Sequence, residues 1–103
     1  MHVAPTKEGG VEVTIFGELD LATVGRVRTA LQQAIAAEGP VVVDLRACVF
    51  VDSRGIGALI EAALRLQEGG RRLILRGAQK RVLRTLRIAG LTDWDLLEIE
   101  QER

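Results

Sequence analysis

Tyrosine is absent from this sequence, and tryptophan, cysteine, methionine and histidine occur once each, with two phenylalanines. With so few rings the core has to be aliphatic. No basic surface interleaved with aromatics is available for stacking on single-stranded nucleic acid. The one histidine, His2, stands at the N-terminus, which removes Ser/His/Asp catalysis and histidine-based metal sites. Cys48 has no partner for an internal disulfide, in keeping with a reducing cytosol, and is read as a small hydrophobe. Excess positive charge is also missing: 14 Lys and Arg balance 14 Asp and Glu, whereas a general nucleic-acid binder needs surplus cations for phosphate contacts. No apolar run approaches the ~18–20 residues of a membrane helix. Met1-His2-Val3-Ala4-Pro5 has neither the basic start nor the apolar stretch of a signal peptide, so a soluble, cytoplasmic protein without membrane insertion is expected. There is no cysteine cluster for zinc and no Gly-Lys-Ser/Thr phosphate loop, and Gly55-x-Gly57 lacks the third glycine of a dinucleotide fingerprint. An enzyme is not expected, nor a cofactor or metal.

What is present suits one domain over residues 1–103, large enough for a real core. The organising stretch runs from Pro40 to Gln67. Val41-Val42-Val43 is a β-branched run that suits a buried strand. Ile56, Leu59, Ile60 and Ala63 then fall at i, i+3, i+4 and i+7, one face of a helix. Between them lies Asp52-Ser53-Arg54-Gly55-Ile56-Gly57. Asp52 and Ser53 are both good N-cap residues. Gly55 and Gly57 remove side chains where the helix begins, so another backbone or a partner can come close. A helix N-terminus tolerates an anion, so a phosphate on Ser53 is acceptable to the fold, and it adds roughly −1.5 to −2 charges to the surface. The plain alternative is that Asp52-Ser53 only caps a helix.

Elsewhere, Lys7-Glu8-Gly9-Gly10 reads as a turn and Val11–Phe16 as a strand with one face buried. Gly17 stops that strand, and Glu18-Leu19-Asp20 leads into a helix over Leu21–Glu38, with Val24, Val27, Leu31 and Ile35 inward. Glu18 and Asp20 suit the positive end of that helix. Gly39-Pro40 ends it. A strand follows over Arg71–Arg76, then a helix over Ala78–Ala89 with Val82, Leu83, Leu86 and Ala89 inward. Leu91–Asp95 is a turn, and Leu96–Ile99 a short final strand or loop before an acidic, frayed end. Asp44, at a strand end, invites comparison with a phospho-accepting receiver aspartate. The earlier acidic cluster and later lysine that such a site needs are missing, so strand-end hydrogen bonding is the expected role.

Two motifs carry a resemblance. The hydrophobic strand, Asp52-Ser53-Arg54-Gly55-Ile56-Gly57 and the amphipathic helix resemble the STAS domain of bacterial anti-sigma factor antagonists, whose segment reads Asp-Ser-Ser/Thr-Gly-Leu-Gly. Gly17-Glu18-Leu19-Asp20-Leu21-Ala22-Thr23 resembles the family's second signature. With the order of elements, the match runs from about Val11 to Ile99. The resemblance implies that Ser53 is the phosphoacceptor, and that Glu18, Asp20, Thr23, Asp52, Arg54, Gly55 and Gly57 form the partner surface around it. Arg54 departs from the pattern, standing where a second small hydroxyl residue is usual. A long cation there can pair with a phosphate on Ser53 or obstruct a kinase.

The expected fold is α/β: a mixed sheet of four or five strands with three helices, in the order β-β-α-β-α-β-α, with right-handed crossovers. By resemblance, the unphosphorylated protein binds an anti-sigma factor that is also a serine kinase. Phosphorylation of Ser53 ends the binding and a serine phosphatase restores it, regulating sigma-factor-dependent transcription. The alternative is a non-switching STAS adaptor, a subunit of a lipid-transport ABC system or of a stress-signalling scaffold; nucleotide binding is a weaker third. Charge is also segregated, almost entirely positive from Arg65 to Arg87 and negative from Asp93 to Glu102. Such runs are either solvated faces, a strip for an acidic partner, or a strip on which the tail folds back.

Overall fold

The structure is a computed structural model that describes residues 1–6 and 9–100. Lys7 and Glu8 of the expected first turn, and the acidic end beyond Glu100, lie outside the described residues. Strands β1 (His2–Pro5) and β2 (Val11–Thr14) pair antiparallel, Val3 opposite Val13, with Gly9 at φ +85° between them. β4 (Val41–Asp44), β6 (Leu73–Arg76) and β7 (Leu97–Glu100) extend the sheet in parallel, in the order β1-β2-β4-β6-β7. The expected mixed sheet therefore has five strands, and three helices connect it: α1 (Val24–Ala36), α2 (Ser53–Glu68) and α3 (Lys80–Ile88).

Each parallel connection advances one strand in the same direction, and right-handed crossovers of that kind put their helices on one face. Burial agrees. The rows Val11–Val41–Leu73–Leu97 and Val13–Val43–Leu75–Ile99 meet Val27, Leu31, Leu59, Val82 and Leu86 in one aliphatic cluster. The alternate rows are mixed: Val42 and Ile74 lie between Glu12 and Glu98, and Asp44 and Arg76 between Thr14 and Glu100. There the Arg76 guanidinium reaches both ways across the sheet, Nη1 to Glu12 Oε2 at 2.9 Å and Nε to Glu100 Oε1 at 2.7 Å.

Two short strands were not anticipated. β3 (Gly17–Leu19), expected as a lead-in to the first helix, pairs in parallel with β5 (Cys48–Val51), which lies just before the expected Asp52–Gly57 connection and was assigned no element. The strand expected over Val11–Phe16 breaks after Thr14, leaves Phe16 exposed, and resumes at Gly17 with φ +77°. That positive φ is costly for a residue with a Cβ. α1 starts three residues later than expected, because Asp20 and Thr23 fold Leu21–Thr23 into a turn. Asp20 Oδ1 accepts from Ala22 N–H (3.0 Å) and Thr23 N–H (3.3 Å), while Thr23 Oγ1 accepts from Asp20 N–H (3.0 Å). β6 starts two residues later than expected. Arg71 instead donates to Gly39 O and Ile35 O, satisfying carbonyls at the end of α1. α3 is shorter than read, and Ala89, expected inward, is exposed beyond its last turn.

Candidate functional site

The junction between β5 and α2 is held by Asp52. Its Oδ1 accepts from Arg54 N–H (2.9 Å) and Gly55 N–H (3.2 Å), so Asp52 is the N-cap and Ser53 the first helical residue. Its own N–H donates to Leu19 O at 3.1 Å, which ties the start of α2 to β3. Gly55 completes that contact. A Cβ there would lie 2.5 Å from Leu19 Cγ and 2.8 Å from Leu19 O, closer than a methyl can approach without displacement. Gly57 differs, with nothing within 4 Å of where its Cβ would stand. The close backbone approach that both glycines suggested is thus made by the chain itself at Gly55 and left open at Gly57.

The Glu18–Thr23 segment reaches this junction through Leu19. Thr23 Oγ1 donates to Glu18 O at 2.8 Å and closes the segment on itself. Glu18 stands opposite Phe50 in the β3–β5 pair, with its side chain exposed. Asp20 spends Oδ1 on its own turn. The structure therefore brings the Gly17–Thr23 and Asp52–Gly55 segments together. Among the described residues, no hydrogen bond or ion pair joins the Glu18 or Asp20 side chain to Ser53 or Arg54.

Ser53 and Arg54 are exposed, and among the described residues neither side chain has a hydrogen-bond or ionic partner. Ser53 opens onto a shallow groove of about 260 Å³ lined by Ile56 of α2 and by Thr85, Ile88 and Ala89 at the end of α3. Ile88 is 81% exposed. Sequence reasoning missed this α3 wall. Its one available signal was Ile88 itself, an apolar residue outside the inward set, next to Arg87 and one turn beyond Arg84.

Two other reactive groups are committed elsewhere. Asp44 is 3% exposed and accepts from Arg46 Nε at 3.0 Å on both carboxylate oxygens. The Arg46 hydrogen bonds hold its carboxyl below the usual range against the opposing effect of burial. This is the strand-end hydrogen bonding expected of it. The Cys48 thiol donates to Phe50 O at 3.4 Å, and burial pushes its pKa up, the opposite of what a reactive thiolate needs. Among the described residues there is no group of three or more potential metal ligands, and no helix long and apolar enough to cross a membrane.

An exposed serine beside an acidic N-cap, at the mouth of the second helix of a small mixed-sheet domain, defines a class as well as a place. A family profile described as "Mlab, STAS domain" matches residues 3–98. The anti-sigma-B factor antagonist of Listeria monocytogenes is 32% identical over 91 residues, covering 87% of this chain and 78% of that protein. The chain belongs to the STAS domain family and, within it, to the anti-sigma factor antagonists. The fold matches the unphosphorylated anti-sigma factor antagonist SpoIIAA with a TM-score of 0.81 at 24% identity, over 98% of this chain and 88% of that one. It matches the phosphorylated form of the Bacillus cell fate determinant SpoIIAA with a TM-score of 0.74 at 23% identity, over 98% and 91% respectively.

Proposed function

We propose that this protein antagonises an anti-sigma factor through a switch at Ser53. The unphosphorylated form binds an anti-sigma factor that is also a serine kinase, in the cytoplasm, and frees its sigma factor for transcription. Transfer of phosphate to Ser53 ends the binding, and a serine phosphatase restores it. The observation that carries this reading is the division of labour at the helix start: Asp52 does the capping, which leaves the Ser53 hydroxyl exposed and without a structural duty. The relatives support it, since SpoIIAA is known in phosphorylated and unphosphorylated forms. Glu18, Asp20, Thr23, Asp52, Arg54, Gly55 and Gly57 belong to the contact surface in this reading, with Gly57 the open position onto which a partner backbone can close.

The physical basis of the switch is desolvation and repulsion. A phosphate of roughly −1.5 to −2 charges, beside Asp52, cannot enter a close-packed contact without loss of water and conflict with any acidic partner group. About 4 kcal/mol of such cost shifts affinity a thousandfold. Arg54 favours a second reading, a fixed STAS adaptor in a transporter or a signalling scaffold, because an unpaired cation beside the acceptor can stand in a kinase's way. Capture from native-host lysate with wild type and Ser53→Glu separates the two, followed by titration of the captured partner with wild type, Ser53→Glu and Ser53→Ala. The switch requires a histidine-kinase-like ATPase that Ser53→Ala retains and Ser53→Glu loses. Equal affinity for all three forms would overturn it, and a transporter ATPase held by all three would establish the adaptor.

A further inference from the structure

The cations between Arg65 and Arg87 do not form one uniform strip. Three of them are used by the fold. Arg71 donates to Ile35 O and Gly39 O, Arg72 Nη2 donates to Asp95 O at 2.8 Å, and Arg76 pairs with Glu12 and Glu100. The contacts of Arg72 with Asp95 and of Arg76 with Glu100 are the tail folding back on the strip, in part. Lys80, Arg81, Arg84 and Arg87 are different. All four are exposed on α3, and among the described residues none of their side chains has a hydrogen bond or an ion pair. Lys80, Arg84 and Arg87 stand at i, i+4 and i+7, one stripe spanning about 10 Å at 1.5 Å per residue. No acidic residue lies in the first turn of α3, where the helix dipole favours one, so Lys80 and Arg81 oppose it. Arg87 in the last turn suits the dipole, but the isolated domain gains nothing from Lys80 and Arg81. A partner would.

The stripe does not end in solvent. Ile88, one turn beyond Arg84, forms a wall of the groove shared with Ile56 and Ala89. We infer that the outer face of α3 docks an acidic, helix-forming segment of a protein partner. Its carboxylates lie along Lys80, Arg84 and Arg87, and one apolar side chain rests against Ile88 in the groove. Three of the four cations are arginines, whose fork matches a carboxylate in bidentate fashion. A lipid surface fits worse, because the apolar side of α3, Val82 and Leu86, is buried in the core and has nothing to insert. A nucleic acid also fits worse: the chain has no net positive charge, and Asp93 and Asp95 are exposed just past the end of α3. The assignment goes beyond the Ser53 switch: its cations lie on α3, and it shares with that switch only the groove that Ser53 also lines.

The test is calorimetric titration of the full chain with a synthetic helical peptide of about 14 residues, carrying Glu at i, i+4 and i+7 and a Leu one turn further on. Phosphatidylglycerol vesicles and a single-stranded RNA are run beside it. Saturable binding of the peptide is expected, weakening as salt rises. Affinity should fall about tenfold or more in the double variant Arg84→Gln/Arg87→Gln. Ile88→Ser should weaken binding while leaving its salt dependence unchanged. The titration uses the unphosphorylated full chain and no kinase, so failure of peptide binding is distinct from failure of the switch, which is read from the captured ATPase. All of these positions are exposed, so unchanged circular dichroism serves as the fold control. Absence of peptide binding, equal binding by the double variant, or tighter binding of vesicles or RNA than of the peptide overturns the inference.

Discussion

Gly55→Ala and Gly57→Ala lie two residues apart in one helix and should change stability in opposite directions. At Gly55 the new methyl would start 2.5 Å from Leu19 Cγ and 2.8 Å from Leu19 O, against the ~3.5–4 Å of an ordinary carbon contact. Leu19 cannot give way cheaply. It is fully buried, and its carbonyl holds the Asp52 N–H. The start of α2 must therefore retreat from β3 by something near 1 Å, an overpacking strain of roughly 2–3 kcal/mol. Replacing a helical glycine by alanine returns about 1 kcal/mol, leaving a net loss of about 1–2 kcal/mol. At Gly57 nothing opposes the methyl, so only the helix gain of up to ~1 kcal/mol remains. Urea midpoints read both, and thermal midpoints should move by about 4–8 °C per kcal/mol for a domain of this size. If Gly55→Ala is stabilising, or if both variants move the same way, the packing argument for Gly55 is wrong.

Asp52→Ala should cost about 1 kcal/mol, the ordinary value of a lost N-cap, while Ser53→Ala should stay within about ±0.5 kcal/mol. Urea denaturation of the two variants decides, and an equal loss in both would mean that Ser53 shares the cap. Asp44 should give the acid limb of stability part of its slope. Its folded carboxyl titrates below the ordinary value of 3.8, so its contribution is complete above that pH and is lost as pH falls through the lower folded value. The stability difference between wild type and Asp44→Asn should accordingly shrink as urea midpoints are taken from about pH 5 towards pH 2. A difference that stays constant would show that Asp44 is not held ionised by Arg46.

The main sheet was legible because Val11–Thr14 and Val41–Asp44 are rich in β-branched residues and its parallel strands are separated by helices with a clear apolar stripe. The same reasoning failed at Gly17–Leu19 and Cys48–Val51. These strands pair only with each other, and β5 is buried at both ends and exposed at Val49 and Phe50, which is neither alternation nor a continuous apolar run. The late start of α1 was within reach. Asp20-x-x-Thr23 is a spacing at which each side chain can bond the other's backbone N–H, and Leu21, 63% exposed, is no core residue. The position of Ser53 at the helix mouth followed from cap chemistry. The groove beside it did not, because its far wall comes from α3, and only tertiary packing brings Ile88 to within reach of Ser53.

The junction itself sorts its residues by what they do for the fold. Asp52 caps α2 and binds β3, Gly55 admits Leu19, and Thr23 closes the segment that carries Glu18. Each is fixed by a neighbour within the chain, so replacing it should act first on stability. Ser53, Arg54 and Gly57 have no such neighbour among the described residues. A side chain that the fold does not use, held in place by neighbours that the fold does use, presents a rigid and chemically free surface. That is the condition for a hydroxyl to be read, or altered, without unfolding the domain that carries it. If Ser53→Ala and Gly57→Ala both leave the fold intact while changing what the protein binds, stability and recognition are separated residue by residue within one turn of helix.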